Sequence, residues 1–304
     1  MWRLRPLRTR PSKIFEIILE TRETPSRRMS LYVKIHESNL RATEEFRNLK
    51  SLWSHFRSSN EFRISKPLGL IDGLNAVVTA QVDGLQLSDM VQRSRILPPA
   101  KDGISALVSC VERAGNWLKF FHKTEVNQGT LAINYQASEP DNLMTAARRL
   151  DFPERLIIKA TARLDRVKEA MRGSGLVVVH PDFTPEHVFF DQQAVSVIDF
   201  DILSLGPKAW NMARFCSYFD MMLLPLNMKR FSSVLKSRFV SAASDNRDSD
   251  TDELVNAFST LLMLEKWVEI NQKLRSHRAP NFYAVLPLIA GSAMRNIKHL
   301  CDNP

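Results

Sequence analysis

Apolar positions alternate with polar ones near the start of the chain, then shift to helical spacing, then alternate again. Residues 13–20 (KIFEIILE) and 29–35 (MSLYVKI) are rich in Ile, Phe, Val and Tyr, and a polar stretch around Pro25 separates them. This pattern predicts an antiparallel strand pair. Phe46, Leu49 and Trp53 then recur at spacings of three and four behind Ser38 or Asn39, either of which can cap a helix. Residues 68–71 and 76–82 return to the strand pattern, with Asp72-Gly73 as the turn between them. A small antiparallel sheet carrying one helix is therefore expected.

The character changes after Asp83-Gly84. Ile104, Leu107, Val108, Val111, Ala114, Trp117, Leu118 and Phe121 mark a long amphipathic helix. This puts a domain boundary near residue 83, with an N-terminal lobe over 1–82 and a C-terminal lobe over 83–304. Residues 124–150 read as an insertion, with a loop over 127–141 and then a helix toward 149. Residues 175–179 and 195–198 are short β-branched runs on either side of HPDFTPEHVFFDQQ, which holds its charged residues on loops at strand ends. From Trp210 onward the pattern is helical, with Leu254, Phe258, Leu261, Leu264 and Trp267 on one face. Pro287 and Gly291 interrupt the last helix. The expected fold class is α+β, with the second lobe mainly α-helical.

Composition narrows the class. A hydrophobic fraction of 44% with 25% charged residues describes a globular chain, and 304 residues suffice for two lobes. No apolar run approaches the roughly 18 residues of a membrane span. Glu16 and Glu20 break the stretch that a secretory leader would keep apolar. The three cysteines, Cys110, Cys216 and Cys301, lie far apart with no CxxC spacing, so a reducing cytoplasm is expected. The net charge is +9, and residues 1–65 hold 14 Lys+Arg against 7 Asp+Glu. Without interleaved aromatics this reads as a solvated basic face rather than a nucleic-acid surface.

The chemistry concentrates at two aspartates. Asp182 follows one hydrophobic strand and Asp199 another, so two strands are expected to bring both carboxylates to one end of a lobe. Phosphoryl transfer from a nucleotide needs a carboxylate for the attacking hydroxyl, carboxylates for metal ions and a cation on the phosphates. The sequence supplies all of these residue types.

The motifs HPDFTPEH, ending at His187, and VIDFD, containing Asp199 and Asp201, resemble the HGDxxxxN and IDF or IDW signatures of the aminoglycoside phosphotransferase and choline kinase superfamily. LSLGPKAWNMARF resembles the GP-x-x-x-D-L-A segment of that family, and WLKFFHKTE its LAxLH helix end. The resemblance runs with gaps from about residue 13 to about residue 275. It implies a protein-kinase-like two-lobe fold that uses ATP and Mg2+, with Mn2+ as an alternative, to phosphorylate a hydroxyl on a small molecule. Asp182 takes the part of catalytic base, Asp199 and His187 those of metal ligands, and His180 supports the loop backbone. Lys34 and Glu45 take the parts of the phosphate-holding lysine and its helix partner, with Glu44 an alternative for the latter. Main-chain groups of Ala80, Gln81 and Val82 would meet adenine, and His122 is structural.

Four departures from the family pattern set up a second reading. His187 stands in place of asparagine, Asn211 in place of aspartate and Pro181 in place of glycine, and no glycine precedes Gly69. Arg8 and Arg10 could supply charge near the phosphates in place of a glycine-rich loop. Together these departures allow a catalytically impaired pseudokinase that binds nucleotide as a scaffold. Cationic aminoglycosides would favour an acidic pocket, whereas this chain is basic overall.

Overall fold

The computed structural model describes residues 2–8, 13–20, 28–94, 101–125, 140–172, 175–223, 229–245 and 249–275, with positions 291, 293–295, 297, 298 and 301. Arg10, Pro25, Pro287 and the 127–139 part of the expected loop lie outside them. The chain forms two compact units, and both are discontinuous in sequence. The first takes residues 1–87, 124–127 and 186–203, and the second takes 88–123, 128–185 and 204–304.

In the first unit, β2 (Lys13–Glu20) and β3 (Arg28–Ile35) pair antiparallel, and β3 continues to β6 (Ala76–Ala80) and β5 (Pro67–Ile71). The sheet has one more strand than the pattern predicts: β1 (Trp2–Arg8) pairs antiparallel with β2 at the edge. Trp2, Leu4 and Pro6 alternate with Arg3 and Arg5, but a proline disfavours a strand assignment, and an edge strand is where a sheet tolerates one. Helix α1 (Asn39–Phe56) packs on β4 (Phe62–Ile64), β5 and β6. Ser38 is its N-cap, accepting from the Arg41 N–H at 3.4 Å. Ala42, Glu45, Leu49, Leu52 and Phe56 form its buried stripe, in which the one carboxylate needs partners.

A second sheet in this unit has the order β4-β10-β9-β7, with β7 (Leu85–Gln86), β9 (Val188–Phe190) and β10 (Val195–Val197). The stretch expected as one loop from 180 to 193 therefore contains a strand, β9, which forms a hairpin with β10. Asp191 closes the turn, accepting from the backbone N–H groups of Gln193 and Ala194 and pairing with Arg63. Gly84 enables β7 to approach β9: its φ is +106°, and a Cβ there would lie 2.3 Å from the Phe190 carbonyl oxygen.

The second unit comprises helices α2 (Leu87–Ser94, from Ser88 onward), α3 (Lys101–Phe121), α4 (Pro140–Arg149), α5 (Glu154–Arg172), α6 (Lys208–Leu223), α7 (Lys229–Ala243) and α8 (Ser249–Arg275). Strand β8 (Val177–Val179) pairs antiparallel with β11 (Ser204–Gly206) in a sheet of its own. The strands that precede Asp182 and Asp199, β8 and β10, belong to different sheets. The core of this unit is aromatic. Phe183 stacks on Trp117 and Phe215, and Phe215 lies 4.0 Å from Phe239 between ring centroids. Among the described residues no helix is long and apolar enough to cross a membrane.

Candidate active site

In the first unit, β3 carries Lys34 inward, and the end of β10 delivers the Asp199-Phe200-Asp201 segment to it. The Lys34 ammonium lies 2.5 Å from Asp199 Oδ1, 3.1 Å from Asp201 Oδ2 and 3.6 Å from Glu45 Oε1. The other Glu45 oxygen bonds His36 Nε2, so the buried carboxylate of α1 is shared by Lys34 of β3 and His36 just beyond that strand. Glu44, the alternative helix glutamate, is exposed. Burial works against the Lys34 charge, but the fields of Glu45, Asp199 and Asp201 outweigh it and raise the ammonium above its ordinary value.

Asp199 has φ +71°, a left-handed backbone that Asp tolerates better than most side chains. It turns the chain directly after β10, and buried Phe200 anchors the bend, with its carbonyl 3.5 Å from Asn48 Nδ2. His187 stands at the start of β9, with Nε2 3.6 Å from Asp199 Oδ2. Its carbonyl accepts from the Ile198 N–H, which ties the two ends of the hairpin together. The Asp199 carboxylate and the His187 imidazole together offer donors to a divalent cation, and the nitrogen suits Mn2+ better than Mg2+.

Ala80 ends β6. Its N–H donates to the Lys66 carbonyl and that of Gln81 to the Ser30 carbonyl, at 3.0 and 3.1 Å. Within the 80–82 segment those two donors are spent on the protein itself.

In the second unit, His180-Pro181-Asp182 leaves β8 and is fixed from two sides. The Asn211 amide brackets the His180 backbone, donating to its carbonyl at 2.5 Å and accepting from its N–H at 3.3 Å. The amide in place of aspartate therefore keeps an acceptor and adds a donor. His122 donates from Nε2 to the same Asn211 oxygen at 3.2 Å, and burial pushes this imidazole down to about 4. His180 Nδ1 accepts from the Asp182 N–H at 3.3 Å, and Phe183 buries the far end of the loop. Asp182 is half-buried and pairs with Arg214 of α6, Nη2 to Oδ1 at 3.0 Å.

Sequence reasoning gave no part to His36, Asp201 or Arg214. Each carried a signal: His36 shares a strand face with Lys34, Asp201 repeats the Asp199 spacing on the same bend, and Arg214 lies one helical turn beyond Asn211.

The strand-borne lysine paired with a helix glutamate, followed by a mainly helical unit, defines a kinase-like two-lobe α+β fold. Solved structures agree. The chain is similar to aminoglycoside 2'-phosphotransferase-IIIa in its GDP complex, at 12% identity and TM-score 0.60, over 99% of this chain and 93% of that one. A choline/ethanolamine kinase family protein from Mesorhizobium loti gives 12% identity and TM-score 0.64, over 99% and 89% of the two chains. An amicoumacin kinase in complex with AMP-PNP and Ca2+ gives 12% and 0.60, over 98% and 88%. The chain belongs to the phosphotransferase enzyme family (APH), whose model matches residues 21–226. No curated protein sequence matches it.

Proposed function

We propose that this protein is an ATP-dependent kinase that moves the γ-phosphoryl group onto a hydroxyl of a small molecule. The observation that carries the reading is the cage around Lys34, in which one ammonium meets Glu45, Asp199 and Asp201 within 3.6 Å. A structural ion pair needs one carboxylate. Three around one buried lysine match a site that takes up further cationic charge with its substrate.

In this reading Lys34, held upright by Glu45, neutralises phosphate oxygens. Asp199, with His187 beside it, would hold a divalent ion, Mg2+ or Mn2+, which would supply charge neutralisation on the phosphates. Adenine is met by the carbonyls of the 80–82 segment and the Val82 N–H, since the Ala80 and Gln81 donors are engaged. The acceptor hydroxyl oxygen attacks the γ-phosphorus, its proton passes to Asp182, and the bond to the β–γ bridging oxygen breaks to release ADP. The catalytic effect is mostly positioning and electrostatic. The acceptors in the related structures, an aminoglycoside and amicoumacin among them, support a small-molecule substrate.

The test is thermal-shift binding of ATP and GTP with Mg2+ or Mn2+, followed by turnover of Asp182→Ala and Asp199→Asn. Asp182→Ala is expected to lose transfer and keep nucleotide binding, and Asp199→Asn to lose metal-dependent binding. Full turnover in either variant refutes the assignment.

His187 beside Asp199 and Arg214 on Asp182 favour one second reading, a nucleotide-binding scaffold without transfer activity. His187→Asn separates the two. Transfer by the variant alone supports the scaffold for the native chain.

A further inference from the structure

The helical unit contains a cavity of about 530 Å3 beside the Asp182 loop, with Pro181, Trp210, Arg214, Tyr218, Glu265 and Lys266 in its wall. Its charges do not suit a polyamine. Arg214 and Lys266 face Glu265 and Glu269, and Glu269 is already committed to Lys266 at 2.9 Å and to Lys273. Those two lysines hold the Glu269 carboxyl below its ordinary value against the opposing effect of its burial. The wall therefore offers no surplus of carboxylates for several ammonium groups.

Arg214 is the side chain best arranged to meet a ligand there. Its guanidinium lies over the Tyr218 ring, 4.7 Å from the centroid, which sets its plane. One end contacts Asp182, while Nε is buried without a hydrogen-bond partner among the described residues. Donors of this fork beyond the one on Asp182 are left over, and the planar guanidinium matches a planar carboxylate in two-point contact. Trp210 and Tyr218 provide the flat apolar surface that a carbon skeleton needs beside such an anchor.

We propose that this cavity is the acceptor pocket and that Arg214 selects hydroxyl compounds that carry a carboxylate. The inference rests on the kinase reading for the chemistry, but its binding part does not. A carboxylate seated on Arg214 brings a hydroxyl further along the same short carbon chain toward Asp182, because both groups meet the same side chain.

Calorimetric titration of the full chain without nucleotide, using D-glycerate, D-gluconate, choline and kanamycin as probes, tests the binding part. At least one hydroxy acid is expected to bind wild type, with Arg214→Gln weakening it about 10- to 100-fold and Arg214→Lys retaining part of the affinity. Binding of choline or kanamycin in place of both hydroxy acids, no hydroxy-acid binding at all, or unchanged affinity in a folded Arg214→Gln protein would overturn it. Absence of any nucleotide-dependent thermal shift sinks the kinase reading while leaving the titration result standing.

Discussion

Lys34 and His122 are both buried, yet burial has opposite net outcomes for them. Lys34 has three carboxylates within 3.6 Å, so its raised value keeps its stabilising contribution whole below about 10.5 and gives it up only above that. Replacement by Met removes the ammonium that three acids share. The expected loss is at the low end of about 3–5 kcal/mol, since Asp199 and Asp201 retain some access to water. Denaturant titration measures it, and added Mn2+ is expected to restore part of it. Burial outweighs the hydrogen bond that His122 makes to the Asn211 amide, and its value falls from 6.5 to about 4. Between those values the unfolded chain binds a proton that the folded chain does not. Stability is therefore whole above pH 6.5, falls as pH drops toward 4, and has lost about 3 kcal/mol there. His122→Gln, which retains a donor toward Asn211, is expected to flatten that slope in denaturant titrations at several pH values. Residue-scale legibility followed the same division. Lys34, Glu45, Asp182 and Asp199 were named through the resemblance of their motifs to those of the family, whose residues stand at set places relative to strands and helices. Arg214 and His36 could not, because their partners are chosen by folding and periodicity is silent about partners.

The close approach of α3 to α7 and of β7 to β9 rests on two glycines. A Cβ on Gly115 would stand 2.5 Å from the Phe239 carbonyl oxygen, whereas Gly103 on the same helix has nothing within 4 Å. Alanine gains about 1 kcal/mol over glycine inside a helix, and overpacking costs about 1–3 kcal/mol. Gly103→Ala is therefore expected to raise the melting temperature and Gly115→Ala to lower it, because the obstacle at Gly115 is backbone that cannot rotate aside. Gly84→Ala combines a 2.3 Å contact with φ +106° and is expected to destabilise by more than about 1 kcal/mol, as read in thermal unfolding. The helices over 39–56 and 101–121 were legible because each repeats its apolar face over several turns, and that over 249–275 because apolar residues recur along it at spacings of three and four. Strands β1 and β9 were not. The first carries a proline, and the second is three residues long inside a segment dominated by charged and turn-forming residues, too short for a period to emerge.

At the scale of the molecule, the basic excess of residues 1–65 and the carboxylate cage in the same unit act at different ranges. In the proposed reading the surplus positive charge adds a general attraction for an anionic nucleotide, and the cage is the local site. ATP with Mn2+ is expected to raise the melting temperature more than ATP alone, and the gain is expected to shrink as salt screens the general term. The order of the two units was less legible than their class, since no sequence signal says that residues 186–203 return to the first one.

That return gives the protein a timetable. Strands β4 and β7 are made early, but their sheet partners β9 and β10 begin only at residue 188. At about 5–20 residues per second, a ribosome needs roughly 5–20 s to span the interval. A nascent chain halted before residue 188 is expected to be cut by protease near Phe62–Ile64, and one extended well past residue 203 to resist.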